Sequence, residues 1–583
     1  MKKTNIGNWN TALHVYSLQL LLFPFCLTLF VSAAFLVGSA PHAVYFWLAL
    51  LLSASLSYYF SKAQTKSFVI AECAALFTLA TSMIISFIFL DFQWDAMAFH
   101  NPAAFLMLEG WNPVRDSLSP LVIDQIEQIR IYPKAEWYIA AICAQTFGFI
   151  SIGKFSHLVM ILVAAVVTRN WLRRGLELPS TLCTIFAGAI AANPVAIMQW
   201  QTAYNDGATA SLLTIMLVSL CAFVKSGDRK ELFFIIISAV FCSCLKFNSL
   251  VYVVVFWSVF FAWIIWKRRD LSPSYSLATA IGLLLFFLVG ANSYITNTLD
   301  YGSPLYPYVT ISKDKGFQLS EDISTAVGLP EGFQNADRFT RFIKGSFLLP
   351  GWTPRSIGKL FENFWVEALQ YPPNLQVNLG GWGPFFWLFL LACVPMLFFV
   401  KQPEVRGAII ALLISMFVHA QGWFVRYTPQ SWLLPALIFA TASRTRFMAL
   451  ASSALGVVMI LNAAIVFYYG SYYYDIRTLG RYYERVAILK EEHAKATPDV
   501  VDRFLTPLVQ LYPDENRFNS MALQNPNYIR VRENMVLSEA SRLREFGVPT
   551  PDHGEAPPDL LEKIQNVGPK IPEYSSIMRA WQR

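Results

Sequence analysis

Long apolar runs dominate the hydrophobic pattern of this chain. Many of them contain about 17–25 residues, the length at which a helix crosses a bilayer. The pattern predicts an all-α polytopic membrane protein with about thirteen spans. Their predicted positions are about 12–37, 43–60, 68–90, 154–170, 180–198, 208–224, 232–245, 250–266, 274–298, 382–400, 407–424, 429–443 and 447–469.

One further apolar stretch, at about 135–150, is long enough to span but is interrupted by Gln145 and Gly148. The next stretch ends in Arg169, Arg173 and Arg174. If those arginines are cytoplasmic, only one of the two stretches crosses the bilayer. We therefore predict that 135–150 is a surface-lying or re-entrant helix.

The positions of the charges predict which loops face the cytoplasm. Lysines and arginines concentrate in the short loops after the second span, around Arg169–Arg174, around Lys225–Lys230 and at Lys267–Arg269. By the positive-inside rule these loops are cytoplasmic. The longer loops 91–133 and 299–380 are then on the outer side. We expect a multi-pass inner membrane protein, of bacterial type, with 1–470 as its transmembrane domain.

Composition supports this class. Hydrophobic residues make up 55% of the chain and charged residues 14%, whereas soluble proteins carry about 25% charged residues. The net charge of +7 comes from the short loops, so it indicates topology and no nucleic-acid partner. After Gly470 the chain becomes charged and proline-rich, which predicts that 471–583 is a small soluble domain or cap outside the membrane.

The notable polar side chains fall on the predicted outer side, namely Asp91, Asp95, His100, Lys134, Asp206, Lys246, Asp300 and Arg426. A carboxylate at such a place can act as a general base. Lysine and arginine can hold a phosphate leaving group. This combination suits transfer of a sugar from a polyprenyl phosphate to an acceptor hydroxyl. Direct displacement with a single base would invert the anomeric centre.

Several short motifs carry a resemblance to a family. Asp95-Ala96-Met97-Ala98-Phe99-His100-Asn101-Pro102, followed by Glu109-Gly110-Trp111-Asn112-Pro113, resembles the first outer loop of the GT-C superfamily of membrane glycosyltransferases, which includes aminoarabinose transferases and protein O-mannosyltransferases. Other stretches resemble further motifs of that family, namely Tyr132-Pro133-Lys134, the segment Gln199–Asp206, the segment Tyr301–Pro307 with its G-x-P-x-Y-P pattern, and Arg426-Tyr427.

The resemblance implies a role for each matching residue. Asp95 would be the catalytic base, and Asp206 a second acid that positions the acceptor or binds a metal. Lys134, Arg426 and Lys246 would hold the donor phosphate. Binding of the substrates would involve His100, Tyr204 and Tyr306. A divalent cation, if one is used, would lie at Asp95 and Asp206. Acceptors in the family include envelope glycans, lipids and proteins.

The sequence also departs from the family pattern. Two extra spans precede the first acidic loop, and Ala96 stands where a second carboxylate often follows the base. The departure argues against a paired-carboxylate metal site.

Simpler roles also fit several of these side chains. Asp91 fits a structural contact better than a catalytic one, and Asp206 could be a helix N-cap. Lys246 could be a snorkelling lysine, and Arg426 a general anchor for lipid phosphate.

Two other functions remain open at this point. A transporter or flippase of lipid-linked saccharides would place ionisable residues near the middle of broken spans. In this chain the charged groups lie at span ends, and Asn193-Pro194 is the clearest interruption within a span. A ligase of lipid-linked saccharides would share the donor and the outer face. Its expected arginine- and histidine-rich outer loop is matched only in part, because 299–380 has arginines and no histidine.

Overall fold

The structure is a computed structural model. It describes residues 2–467, except 62–63, 90, 92–94, 109, 117–125, 291, 307–308, 313–315, 320–335, 347–381, 419–421, 423 and 444–445. The predicted domain 471–583 and most of the loop 299–380 lie outside the described residues.

Helices make up almost all regular structure in the described part of the chain. The first half contains α1 (Lys2–Val37), α2 (Val44–Ser61), α3 (Thr65–Ile88), α4 (Asn101–Leu108), α5 (Ile126–Ile131), α6 (Ala135–Phe147), α7 (Phe155–Arg174), α8 (Ser180–Ala191), α9 (Pro194–Met198), α10 (Asp206–Ser226), α11 (Lys230–Leu245) and α12 (Phe247–Lys267). Shorter turns lie between some of them, a π-helix at Ala96–His100 and 3₁₀-helices at Ile150–Lys154 and Arg269–Leu271.

The second half continues in the same manner. It contains α13 (Ser272–Val289), α14 (Asn292–Tyr301), α15 (Arg338–Ser346), α16 (Phe386–Leu397), α17 (Pro403–Val418), a 3₁₀-helix at Pro429–Trp432, α18 (Leu433–Ala442) and α19 (Arg446–Phe467). One antiparallel hairpin, β1 (Val309–Ser312) with β2 (Gly316–Leu319), pairs Val309 with Leu319.

Eight helices in the described part are long and apolar enough to cross a membrane. They confirm a helical protein compatible with a polytopic membrane fold, while the count of thirteen spans stays a prediction. The predicted span 180–198 is two helices, because α8 ends at Ala191 and α9 begins at Pro194. Pro194 has no N–H for a continuous helix, and the Asn193 side chain caps α9 by accepting from Val195 N.

The helix at the centre of the bundle is α10. In its apolar window 94% of the residues are buried, against 17% for the segment Arg269–Val289 and 22% for α3. It packs against α7 and α11. Apolar side chains on α3 and α13 are exposed, for example Phe77 and Leu284. Such outward apolar faces are expected where helices meet lipid.

The two ends of α10 separate two sets of charges. Its 21 residues give a length of about 31 Å, close to the thickness of a bilayer core. At the Ser226 end, Lys225 donates to the carbonyl of Gly175 and lies 3.8 Å from Glu404. Arg268 donates to the carbonyl of Val224 at the same end. Basic loops that are distant in sequence therefore meet at the end opposite Asp206.

The stretch predicted as surface-lying or re-entrant forms α6. Its 13 residues extend about 20 Å, too short to cross a bilayer core. Trp137, Tyr138 and Ile139 are buried, and the helix packs against α1 and α4. The helix is packed against other helices of the protein, and its surface-lying or re-entrant position in the membrane stays a prediction.

Candidate functional site

Four charged side chains from distant parts of the chain contact one another at the Asp206 end of α10. Arg426 donates from Nη2 to Asp95 Oδ2 and from Nε to Asp206 Oδ2, both at 2.8 Å. The Lys246 ammonium donates to Asp206 Oδ1. We call Asp95, Asp206, Lys246 and Arg426 the charged cluster. All four were predicted site residues.

Each member of the charged cluster lies where a regular element begins or ends. Asp95 directly precedes the π-helix Ala96–His100, a feature frequent at functional sites. Asp206 is the first residue of α10, and Lys246 is an extended residue between α11 and α12. Arg426 lies in the turn before the 3₁₀-helix Pro429–Trp432. Side chains at helix ends and in turns can point toward one another without bending any of the helices.

The charged cluster is buried at Asp206 and more open at Asp95. The side-chain exposure is 1% for Asp206, 9% for Lys246, 12% for Arg426 and 16% for Asp95. Burial opposes the charge on Arg426, but Asp206 and Asp95 raise its pKa well above its ordinary value. Burial lowers the pKa of Lys246, against the pull of Asp206. Because Asp95 is the most exposed of the four side chains, a ligand would approach the charged cluster from the Asp95 side.

The two cations keep hydrogen-bonding capacity. A guanidinium has five N–H donors and an ammonium three. In the described part of the chain, Arg426 uses two donors on the carboxylates and Lys246 uses one. Donors therefore remain on both side chains for the oxygens of a phosphate. Aromatic rings also face them, with Tyr204 at 4.2 Å from the Arg426 guanidinium and Tyr427 at 4.7 Å from the Lys246 ammonium.

A buried series of polar contacts lies behind Asp206. Gln199 donates from Nε2 to Asp206 Oδ2 at 3.2 Å and accepts from Gly207 N at 2.8 Å. The carbonyl of Gln199 lies 3.3 Å from His157 Nδ1, and His157 Nε2 lies 3.6 Å from Glu136. Gln199 was predicted as part of a motif, but no supporting role was predicted for any of these three side chains. In the sequence, these three side chains are recognisable only as polar residues within otherwise apolar stretches.

Asp91 links the end of α3 to the turn before Asp206. Its Oδ2 accepts from the backbone N of Ala203 at 2.6 Å, and its residue is 4% exposed. Ala203 precedes Tyr204, whose ring supports Arg426. This contact agrees with the structural role that we favoured for Asp91.

His100 is a buried, neutral side chain beside the charged cluster. Its Nδ1 accepts from Trp137 Nε1 at 2.7 Å, which leaves the ring proton on Nε2. Burial, together with the charges of Arg426 and Lys246, lowers the pKa of His100 to about 3. The role of His100 in substrate binding stays a prediction.

A small polar cavity borders His100. Its volume is about 30 Å³, room for one or two water molecules, so it is too small for a sugar. Its polar lining comes from Asp91, His100, Asn101, Glu136, Ser151 and Lys154.

Lys134 differs from the two cations of the charged cluster. Its ammonium donates to the carbonyls of Arg130 and Tyr132 at 2.9 Å each and to Ser293 Oγ at 3.0 Å. These contacts occupy all three of its donors. Burial lowers its pKa to about 7. Binding of the donor phosphate by Lys134 stays a prediction, and its contacts favour a structural role that joins α5 to α14.

Tyr306 belongs to a group of residues around α14. Its ring stacks on Tyr301 at 3.9 Å with an interplanar angle of 2°. Asp300, next to Tyr301, pairs with Arg130 at 2.7 Å. Substrate binding by Tyr306 stays a prediction.

The hydrogen bonds of Asp206 and Asp95 bear on whether a divalent cation fits between these carboxylates. Both oxygens of Asp206 already accept from nitrogen donors, and the carboxylate of Asp95 shares Arg426. A divalent ion at this position would have to displace fixed cations. Among the described residues, no three His, Cys, Asp or Glu side chains gather as a metal group. We therefore derive no chemical step through a metal.

No protein-family model matches the chain, and neither a curated protein nor a solved structure is significantly similar to it. Inferences about its activity therefore depend on the charged cluster and on the short motifs in the sequence.

Proposed function

We propose that this protein is an inverting membrane glycosyltransferase. It moves a sugar from a polyprenyl-phosphate donor to an envelope glycan, lipid or protein acceptor at the non-cytoplasmic face. The observation that carries the proposal is the position of Arg426. Its guanidinium joins an accessible carboxylate, Asp95, to a buried one, Asp206, and a second cation lies on the far side of Asp206.

The two carboxylates suit different tasks. Asp206 is 1% exposed and bound by two cations, so it serves as the anchor that holds them. Asp95 is the most open member of the charged cluster and has a single cation partner among its described contacts. A base must lie within hydrogen-bond reach of the hydroxyl that it deprotonates. Asp95 is the carboxylate that an acceptor hydroxyl can approach.

The reaction is a single displacement. Asp95 takes the proton of the acceptor hydroxyl, and the hydroxyl oxygen forms a bond to the anomeric carbon. The bond from that carbon to the phosphate oxygen breaks, and the electron pair stays on the polyprenyl phosphate. The remaining donors of Arg426 and Lys246 stabilise this developing charge. Attack from the face opposite the leaving group inverts the anomeric centre.

Donor binding would also activate the base. In the structure the Asp95 carboxylate accepts from Arg426 at 2.8 Å, so its Oδ2 is engaged by the guanidinium. The phosphate of the donor competes for the same guanidinium. Its arrival frees the Asp95 carboxylate for the acceptor, so that the base becomes available only when the donor is present.

The lipid donor is expected to reach the site from the bilayer. The charged cluster lies at one end of the span-length helix α10, whose other end carries the basic loops. Loops rich in lysine and arginine face the cytoplasm in most membrane proteins. The charged cluster then lies at the outer face, where envelope acceptors are found.

Purified protein incubated with a panel of polyprenyl-phosphate sugars and candidate acceptors tests the proposal. We expect a glycosylated product, identified by mass, with the opposite anomeric configuration to the donor. Movement of labelled donor across vesicles without transfer would favour a flippase instead. Transfer of whole oligosaccharides from lipid diphosphates would favour a ligase. Retention of configuration would contradict the single displacement.

A further inference from the structure

The first turns of α10 and α12 are fastened together beside the charged cluster. Asn205 donates from Nδ2 to the carbonyl of Leu245 at 3.2 Å. Lys246 is paired with Asp206, and Thr209 Oγ1 lies 3.0 Å from Ser249 Oγ. These three contacts hold the residues on either side of Asp206 close to those on either side of Lys246.

Two buried polar atoms in this junction have no hydrogen-bond partner among the residues that the structure describes. They are Asn205 Oδ1 and Asn248 Nδ2, on residues that are 6% and 5% exposed. The bond from Asn205 Nδ2 to Leu245 fixes the orientation of that amide, so the unpaired atom is its oxygen. A buried polar group without a partner costs about 1–3 kcal/mol. Two such atoms at a candidate site point to a ligand that satisfies them.

The chemistry of the two atoms indicates what the ligand carries. Asn205 offers an acceptor, and the amide of Asn248, whose orientation no hydrogen bond among the described residues fixes, offers a donor or an acceptor. A hydroxyl group can engage either kind of partner. Asn248 is two residues beyond Lys246, which in the proposed function holds the phosphate of the donor. The sugar is bonded directly to that phosphate. Its ring hydroxyls would therefore lie next to the turn that carries Asn248.

We propose that Asn205 and Asn248 form a subsite that recognises hydroxyl groups of the donor sugar. The inference rests on the proposed function and adds the residues that select the sugar. A subsite that hydrogen-bonds a hydroxyl strongly rejects an analogue that lacks it, because the buried polar groups are then left unpaired. The two asparagines thus determine which polyprenyl-phosphate sugar is used.

The test uses a series of polyprenyl-phosphate donors in which one sugar hydroxyl at a time is replaced by hydrogen. Wild-type protein should prefer the full donor over one member of the series by about tenfold or more in kcat/KM, the size expected for one lost hydrogen bond. In Asn248→Leu that preference should fall to near one, while turnover of the deoxy donor should remain close to that of the wild type, which shows that this variant is folded. Asn205→Ala should also lower the preference, but it removes the bond to Leu245 as well, so its turnover of every donor is expected to fall.

A matched control is Asn170→Leu, a half-buried asparagine in α7 beside Arg169. It should retain the full preference. An equal fall in turnover for every donor would overturn the subsite, as would a wild type that discriminates against no member of the series. Absence of transfer with all donors would instead overturn the proposed function, and the subsite with it.

Discussion

Arg426 and Asp95 are 331 positions apart in the sequence, yet the guanidinium Nη2 lies 2.8 Å from the carboxylate Oδ2. The same guanidinium binds Asp206 through Nε. One arginine thus holds two carboxylates of unequal exposure, 16% at Asp95 and 1% at Asp206. The difference supports the roles that we propose, in which the open carboxylate meets the substrate and the closed one holds the cations.

The first prediction concerns Asp95→Asn. An amide keeps the shape of the side chain but cannot accept the proton of the acceptor hydroxyl, so transfer should fall by at least about 100-fold. Melting temperature in detergent should stay close to that of the wild type, because Arg426 keeps its bond to Asp206. Transfer is measured with the polyprenyl-phosphate donor identified by the panel.

Asp300→Asn is the matched control for this variant. Asp300 lies near the same end of the molecule, but its ion pair with Arg130 is about one-third exposed on both sides. Transfer should be retained in this control. Turnover near the wild-type rate in Asp95→Asn would remove Asp95 from the role of base.

The second prediction concerns stability after Asp206→Asn. This change leaves the buried cations Lys246 and Arg426 without their shared counter-charge. Breaking a buried ion pair on one side costs about 3–5 kcal/mol, whereas the exposed pair broken by Asp300→Asn contributes at most about 1 kcal/mol. Reversible unfolding in detergent measures both. Similar stability of the two variants would show that Asp206 is not the anchor.

Several features of this site could be predicted from the sequence alone. The apolar runs predicted helices, and the positions of Asp95, Asp206, Lys246 and Arg426 at the ends of those runs predicted that they share one end of the bundle. The ends of long helices are fixed by length and polarity, which are local properties. The contacts of Arg426 with both carboxylates agree with that prediction.

Other features depended on packing between distant segments and could not be predicted. The interruption of the stretch 135–150 at Gln145 and Gly148 was evident, but the burial of α6 against α1 and α4 was not. Lys134 and Lys246 both follow an apolar residue in the sequence, which does not distinguish them. Only the structure shows that all three donors of the Lys134 ammonium bind protein oxygens. The link from Gln199 through His157 to Glu136 joins three segments that no sequence pattern relates.

The third prediction contrasts these two lysines. Lys134→Met removes three internal hydrogen bonds and should lower stability, while transfer per folded molecule stays within about twofold of the wild type. Lys246→Met removes a cation with donors left for phosphate. It should lower kcat/KM for the donor by at least about tenfold, the loss expected for a charged hydrogen bond. Steady-state kinetics and unfolding are measured for both variants. A loss of kcat/KM in Lys134→Met and not in Lys246→Met would show that Lys134 is the lysine that binds the donor phosphate.

The fourth prediction concerns pH. The folded protein holds the pKa of His100 at about 3, below its ordinary value of 6.5. Between these values the unfolded chain binds more protons than the folded protein, so stability is full above pH 6.5 and falls as the pH decreases toward 3. His100→Gln removes the titrating ring, while its amide oxygen can still accept from Trp137. The variant should lose less stability than the wild type between pH 7 and pH 4 in thermal unfolding.

His42→Gln, at an exposed position before α2, serves as the control and should follow the wild-type pH profile. A wild-type and a His100→Gln profile that coincide would show that burial does not lower the pKa of His100.

The fifth prediction compares two glutamines of the same turn. Gln199 supports Asp206 through its amide nitrogen and the start of α10 through its amide oxygen. In Gln201 both amide atoms are buried without a partner in the described part of the chain. Gln199→Leu should therefore destabilise the protein by about 1–3 kcal/mol and lower transfer, because Asp206 loses a partner and Arg426 loses its fixed position. Gln201→Leu removes an unsatisfied amide and should be neutral or stabilising. Unfolding and transfer are measured for both variants. An equal loss of stability and transfer in the two would show that the turn tolerates no substitution, and that the amide of Gln199 has no particular role in positioning Arg426.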